Sequence, residues 1–566
     1  DTDVNGGYIY MLDGATLDSR TSADRTAGNT ATAAGGGRIT LAGGLDNGAN
    51  GGVAGDGLPD GHAWQAGTSN SAGVMLGTQA AGHDANITIY SGGGDILIRG
   101  RNTLGYANVC SGVAAFEGFT IDGGTTGSVI INGLSSGSTS YLTGIDLQGW
   151  RVGAASSASF LRTFNGDITL SGFVVGDNVD DSSVLLSAHP NAPLTIAATG
   201  SGKIEINDLS GHDIQISNNN ILAASGNITM TSTGGTIQTT LISSNGVNTI
   251  GHKAGTSVTS SSSNISLNAN GFNLAANNGL QLNTTGTAVL QPSGTSFTTL
   301  LNPLSTSFAV ANTLTGLRLG KAGNTGSISM AAPVTIAGPI DVIGDDIFIS
   351  ADMATTASGA DITLKGLGYV SAQLSTDFTT NGGDIVFWAN MANASQASSN
   401  TANNEIKLWG NNQFSSQGGR IVLAGGLDDG SNGGTASDGF PDGFAYRGAD
   451  NSGDFTGVGL GNWYANAANV SLLSGNGDII VRGESGGNCG QPGIATQPNL
   501  VVNSGTGIIR ILGKANTGMG FETGFATTSL GNVAITSAST TSPAISIEGT
   551  SAGANIGVIL EWENIG

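Results

Sequence analysis

The sequence predicts an all-β chain: a single-stack parallel β-helix, or solenoid, carrying long loop insertions. Three observations lead there. A short unit, Gly (or Asn)-polar-apolar-x-apolar, recurs from end to end, as in Gly94-Asp95-Ile96-Leu97-Ile98, Gly166-Asp167-Ile168-Thr169-Leu170 and Asp361-Ile362-Thr363-Leu364. Composition is even over 566 residues, with 94 glycines, 10% charged residues and 5% aromatics, and no linker interrupts it. Part of the chain also occurs twice. Gly36 to Gly61 returns as Gly418 to Gly443, with Arg38, Pro59 and Asp60 matched by Arg420, Pro441 and Asp442 without a gap. Self-similarity of this kind marks stacked architectures and is settled before any site is read.

In chain order the units start at Ile9-Tyr10-Met11, Ile87-Thr88-Ile89 and Ile96-Leu97-Ile98. They continue through Ile168, Ile204, Ile214, Ile228, Ile265, Ile328, Ile347, Ile362, Ile385, Ile479 and Val533 to Ile545-Ser546-Ile547. Period-two alternation places the two apolar residues on one face of a strand and the Thr or Ser between them on the other. The glycine before many of these units suits a turn with positive φ. Helical periodicity is almost absent. Short strands with these turns fit either a series of sandwiches or a solenoid. The unbroken pattern favours coils of about twenty residues stacking in register, and a solenoid tolerates loops of unequal length at one edge. The loops 44–62 and 426–444 require that tolerance.

The duplication extends beyond its best-matched stretch. Asp95 to Gly100 aligns with Asp478 to Gly483, and Gly127 to Ile131 resembles Gly507 to Ile511. We read residues 1–205 as a first copy of a long repeat, 206–375 as a single-copy segment and 376–566 as a second, partial copy. The expectation is a longer tandem array in the native polypeptide.

A net charge of −22 excludes a nucleic-acid partner, which needs a basic face. No apolar run is long enough for a transmembrane helix. The segments are too short and glycine-punctuated for an outer-membrane barrel. Two cysteines, Cys110 and Cys489, give no disulfide framework. They lie 379 residues apart, so a stack of coils puts them far beyond the ~7 Å a disulfide spans. Either both are reduced or they pair between chains.

The stretches GGDIVFWAN (382–390), GNNQFSSQGGRIVLAGG (410–426) and VSLLSGNGDIIVRG (470–483) resemble the large secreted repeat proteins of the filamentous haemagglutinin type. That resemblance implies a right-handed β-helix and a secreted or cell-surface fibre, often adhesive.

The loops are the candidate sites. Gly55-Asp56-Gly57-Leu58-Pro59-Asp60-Gly61 and Ser437-Asp438-Gly439-Phe440-Pro441-Asp442-Gly443 resemble the D-G-x-P-D segment of thrombospondin type 3 calcium repeats. With further oxygens upstream, the candidate calcium ligands are Asp46, Asn50, Asp56 and Asp60 in the first copy and Asp428, Asn432, Asp438 and Asp442 in the second. Calcium takes six to eight oxygens, and glycine lets backbone carbonyls join them. The competing reading is a solvated loop, because Asp, Asn, Gly and Pro are also turn residues. Trp64, Tyr446, Trp463 and Tyr464 lie in or after the loops. They either cover the loop ends or stack on sugars, and burial is the stronger pull. The Asp180-Asp181 and Asp345-Asp346 pairs offer the carboxylates a glycosidase would need. Neighbours on a strand face opposite ways, so surface charge is the simpler account. The five histidines show no ligand spacing and no Ser/His/Asp grouping.

The sequence is thus read as an extracellular structural or adhesive fibre protein with no enzymatic activity. Its partners would be copies of itself, head-to-tail or lateral, and surface polysaccharide or a neighbouring cell. The alternatives are a carbohydrate-active β-helix enzyme and a monomeric adhesin.

Overall fold

Period-two strands separated by tight turns can bury their apolar rows only against one another, and the computed structural model shows how. It describes all residues except 1–6, 31, 66–71, 79–84, 104–109, 117, 138–141, 150–156, 177–180, 189–192, 240–246, 276–278, 303–306, 373, 394–402, 449–455, 462–468, 487–491, 497–498, 516–522, 528–531, 552–556 and 560–566. The described chain divides into two compact units, residues 1–294 with 306–311, and residues 295–305 with 312–566.

The first unit is a three-sided parallel β-helix. One coil runs through Asp213–Ser217, Asn219–Ala223 and Ile228–Ser232, one strand on each face. Each strand pairs in parallel with its counterpart one coil on. Inward residues therefore form ladders: Ile168, Ile204, Ile228, Ile265 and Ala288 are in register, as are Leu170, Ile206, Met230, Leu267 and Leu290. These side chains are at most 1% exposed. The second unit repeats the plan. Ile340, Ile362, Ile385, Ile421, Ile479 and Ile509 form one ladder, and Val342, Leu364, Phe387, Leu423, Val481 and Ile511 the next. Phe387 meets Phe378 and Phe414 from another face, with ring centroids 4.8–5.0 Å apart. The predicted parallel solenoid is the observed architecture of each unit.

Coil length varies around the expected twenty or so residues. Some coils keep to it, taking 19 residues (Ile328 to Ile347) or 22 (Ile340 to Ile362), while Ile421 to Ile479 takes 58. A three-sided coil needs three strands and three turns, and any excess leaves the core as loop. The first and second copies of the long repeat fall in different units, and the single-copy segment contributes to both.

The polar residue of the recurring unit has its own role. The Oδ1 atoms of Asp95, Asp167, Asp361, Asp384 and Asp478 accept the backbone N–H of Ser128, Lys203, Asp384, Arg420 and Ile508, each one coil on, at 2.6–3.0 Å. This staircase of carboxylates satisfies turn amides that the strand ladders leave unpaired. It explains why Asp or Asn so often stands there.

One short helix, Ser22–Ala27, is capped by the Thr21 hydroxyl and ends at Gly28 with φ 68°. Cys110 is buried with Leu142 and Val174, a place from which a thiol is not presented to another chain. Cys489, Asp180, Trp463 and Tyr464 lie outside the described residues.

Candidate functional site

Both long loops leave the solenoid in the middle of a strand. In the first copy Ile39–Leu41 pairs with Ile96-Leu97-Ile98, and Ala63–Gln65 pairs with Gly100-Arg101-Asn102. Two pieces of one coil thus lie along a single strand of the next, and residues 42–62 loop out opposite Arg99. The second copy does the same, with Ile421–Gly425 and Ala445–Arg447 along Ile479–Ser485 and the loop opposite Arg482. Antiparallel bridges Gly43 to Gly61 and Gly425 to Gly443 close the necks.

Inside, the loops are built alike. Asp60 Oδ2 accepts the Gly48 N–H at 2.6 Å, and Asp442 Oδ2 accepts that of Gly430 at 2.7 Å. The amides of Asn50 and Asn432 donate to the carbonyls of Asp60 and Asp442 at 2.8 and 2.7 Å. Both asparagines sit at φ near +50°, a region Asn tolerates better than most residues. Asp46 holds the N–H groups of Gly55 and Gly57, and Asp428 those of Asp438 and Gly439. Asp56 and Asp438 close small turns on the N–H of Leu58 and Phe440. A Cβ on Gly52 or Gly434 would fall 1.6 or 1.5 Å from the Oδ1 of Asp60 or Asp442, so only glycine fits beside these buried carboxylates.

The centre of each loop is an arginine from the coil beneath. Arg99 donates from Nη1 to the Asp60 carbonyl at 3.0 Å and from Nη2 to the Asn50 carbonyl at 2.8 Å. Arg482 donates from Nη1 to the Pro441 carbonyl at 2.6 Å and from Nη2 to that of Asn432 at 3.4 Å, and lies 3.7 Å from Asp442 Oδ1. Burial pulls both guanidinium groups below the usual arginine range, and the charges of Asp60 and Asp442 oppose it. Arginine side chains are effectively always protonated in proteins, and both are cations here.

All eight residues expected to bind calcium are therefore gathered in these loops, four in each. As arranged, they do not fit a calcium cage. Their carboxylates are engaged by backbone N–H groups, and the cation against the loop carbonyls is a guanidinium. Among the described residues no three His, Cys, Asp or Glu side chains converge on a common point. The two arginines had a trace in the sequence, because Arg99-Gly100 and Arg482-Gly483 recur together; nothing there tied them to loops some forty residues upstream.

Tyr446 is buried, 1% exposed, and Asn403–Asn404 pairs antiparallel against it and Arg447. Trp64 is half-buried and donates from Nε1 to Thr103 Oγ1 at 2.8 Å. Ser210, His212 and Asp208 come together, a grouping the sequence did not suggest. Its geometry is not a proton relay: His212 Nδ1 faces Ser210 Oγ at 3.2 Å and Nε2 faces the Gly176 carbonyl, leaving neither nitrogen for Asp208. The fully buried Asp208 carboxylate instead accepts from Ser183, Ser210, Gly211 and Thr233.

Burial raises the carboxyls of Asp345 and Asp346 above the carboxylate range; for Asp346 the Tyr369 N–H opposes this and the Asp345 charge adds to it. A raised folded-state pKa contributes stability that is complete below the unfolded value and is lost as pH rises through the folded one. Thermal melts should therefore show Asp345→Asn/Asp346→Asn more stable than the parent at about pH 7, the gap narrowing as pH falls and closing only below about pH 4. A gap that persists or widens in acid would show that these carboxyls are not destabilised by burial.

No protein-family model matches the chain, and no curated protein or solved structure matches it either.

Proposed function

We propose that this chain is a structural and adhesive protein of the cell exterior, part of a fibre whose solenoid coils display loops at repeated positions. One observation carries the reading. Two loops far apart in sequence leave their solenoids at the same register and share the same internal bonds and arginine clamp. Repetition of an externally directed loop suits multivalent contact, in which weak interactions add through effective concentration. A fibre also needs coil to stack on coil. A second copy of the chain is the partner we assign to that stacking. The resemblance to haemagglutinin-type proteins points the same way.

Electron microscopy of native material with and without a calcium chelator tests this. Uniform filaments support the proposal, and short isolated rods overturn it. Loosening on chelation would assign a structural calcium to the loops. Indifference would leave the arginines as their clamp.

A further inference from the structure

The two loop bases, built on one plan, differ at several positions, four of which line a cavity in the first. In the first copy the base carries His62, Trp64, Arg101 and Leu134; in the second the same places hold Phe444, Tyr446, Glu484 and Lys514. The second base is internally neutralised. Lys514 Nζ lies 3.1 Å from Glu484 Oε1 and 5.9 Å from the ring centre of Phe444. The first base is open, with a cavity of about 200 Å³ lined by Asn50, Gly61, His62, Trp64, Arg101 and Leu134.

Arg101 is the unusual member. It lies 5.2 Å over the Trp64 ring, and among the described residues no carboxylate pairs with it. Its Nε is shielded from solvent and makes no hydrogen bond. Arg20, Arg162, Arg420, Arg447 and Arg482 have acidic neighbours. Arg25, Arg99 and Arg510 instead donate to backbone carbonyls, whereas the contact made by Arg101 is with the indole. An unpaired guanidinium in a cavity, against an indole, is equipped to take a carboxylate with a ring attached. The cavity falls below the ~300–1,000 Å³ of drug-sized sites, so it suits one ring rather than a chain.

We propose that this cavity binds a carboxylate-bearing sugar unit, a uronic acid of an acidic polysaccharide. Arg101 takes the carboxylate, and Trp64 and Leu134 pack against the pyranose. This rests on the adhesive reading above and names its ligand class.

The test titrates the full chain with glucuronate and galacturonate, following tryptophan fluorescence and ligand-observed NMR, with glucose, galactose and acetate as controls. The expected result is saturable binding of the acids, at least tenfold weaker for the neutral sugars and for acetate, and weakened by salt. Arg101→Gln should reduce affinity about tenfold, and Arg101→Glu/Leu134→Lys, which copies the second base, should abolish binding without shifting the thermal melt. Absence of saturable binding, equal binding of acetate, or indifference to both variants would overturn the proposal. Filament formation is scored separately on grids. Lost sugar binding with intact filaments refutes the cavity's ligand alone, and sugar binding by short rods refutes the fibre alone.

Discussion

Arg482→Ala should release the 426–444 loop and destabilise its neighbourhood by about 3–5 kcal/mol, the range for breaking a buried ion pair from one side. The physical reason is what remains. Asp442 is 2% exposed, and its charge would lose its nearest cation. The carbonyls of Pro441 and Asn432 would lose their donor. Unsatisfied buried acceptors add about 1–3 kcal/mol each when water cannot replace the donor, so the upper part of the range is expected if the loop stays closed. It would more readily open. The measurement is hydrogen exchange at Gly430 and Gly439, whose N–H groups bind the Asp442 and Asp428 carboxylates, together with limited proteolysis of the loop. Arg482→Lys keeps the charge but not the fork, and should lie between variant and parent. Adding Asp442→Asn to Arg482→Ala removes the orphaned charge and should restore part of the loss. Unchanged exchange in Arg482→Ala would sink the clamp.

Phe387→Ala is the second large effect. The ring is fully buried in a ladder between Leu364 and Leu423 and meets Phe378 and Phe414 edge-on. Truncation removes the apolar transfer term and leaves a cavity that parallel strands on either side cannot close. The expected loss is about 3–5 kcal/mol in the second unit, against about 1 kcal/mol for Phe387→Leu, which fills most of the space. Chemical denaturation of the full chain, followed by exchange at the amides of Ile385 and Leu423, separates a loss in this unit from one elsewhere. Equal melts for the alanine and leucine variants would mean that the trio is loosely packed.

Legibility differed between the core and the loops. The ladder residues were plain in the sequence, because Ile168, Ile204 and Ile228 each begin the same apolar-x-apolar unit and a strand's period is local. The aspartate staircase was visible as a preference but not as a function. The Asp95 carboxylate meets the Ser128 N–H only once one coil lies on the next. The loops were found by their duplication, and their matched carboxylates with them. Their counter-charge was not, since the guanidinium that fills each loop comes from a neighbouring coil. The pocket was invisible for the same reason: Trp64, Arg101 and Leu134 belong to three successive coils.

By itself, then, the sequence determined an all-β chain of short, stackable strands with two matched insertions. Alternation and turn chemistry act over four or five residues, and any reader of the chain can see them. Only the tertiary structure decided which cation sits in each loop, which base is open and which is neutralised. Those contacts join residues tens of positions apart, and the varying coil lengths, 22 residues in one place and 58 in another, set which of them meet.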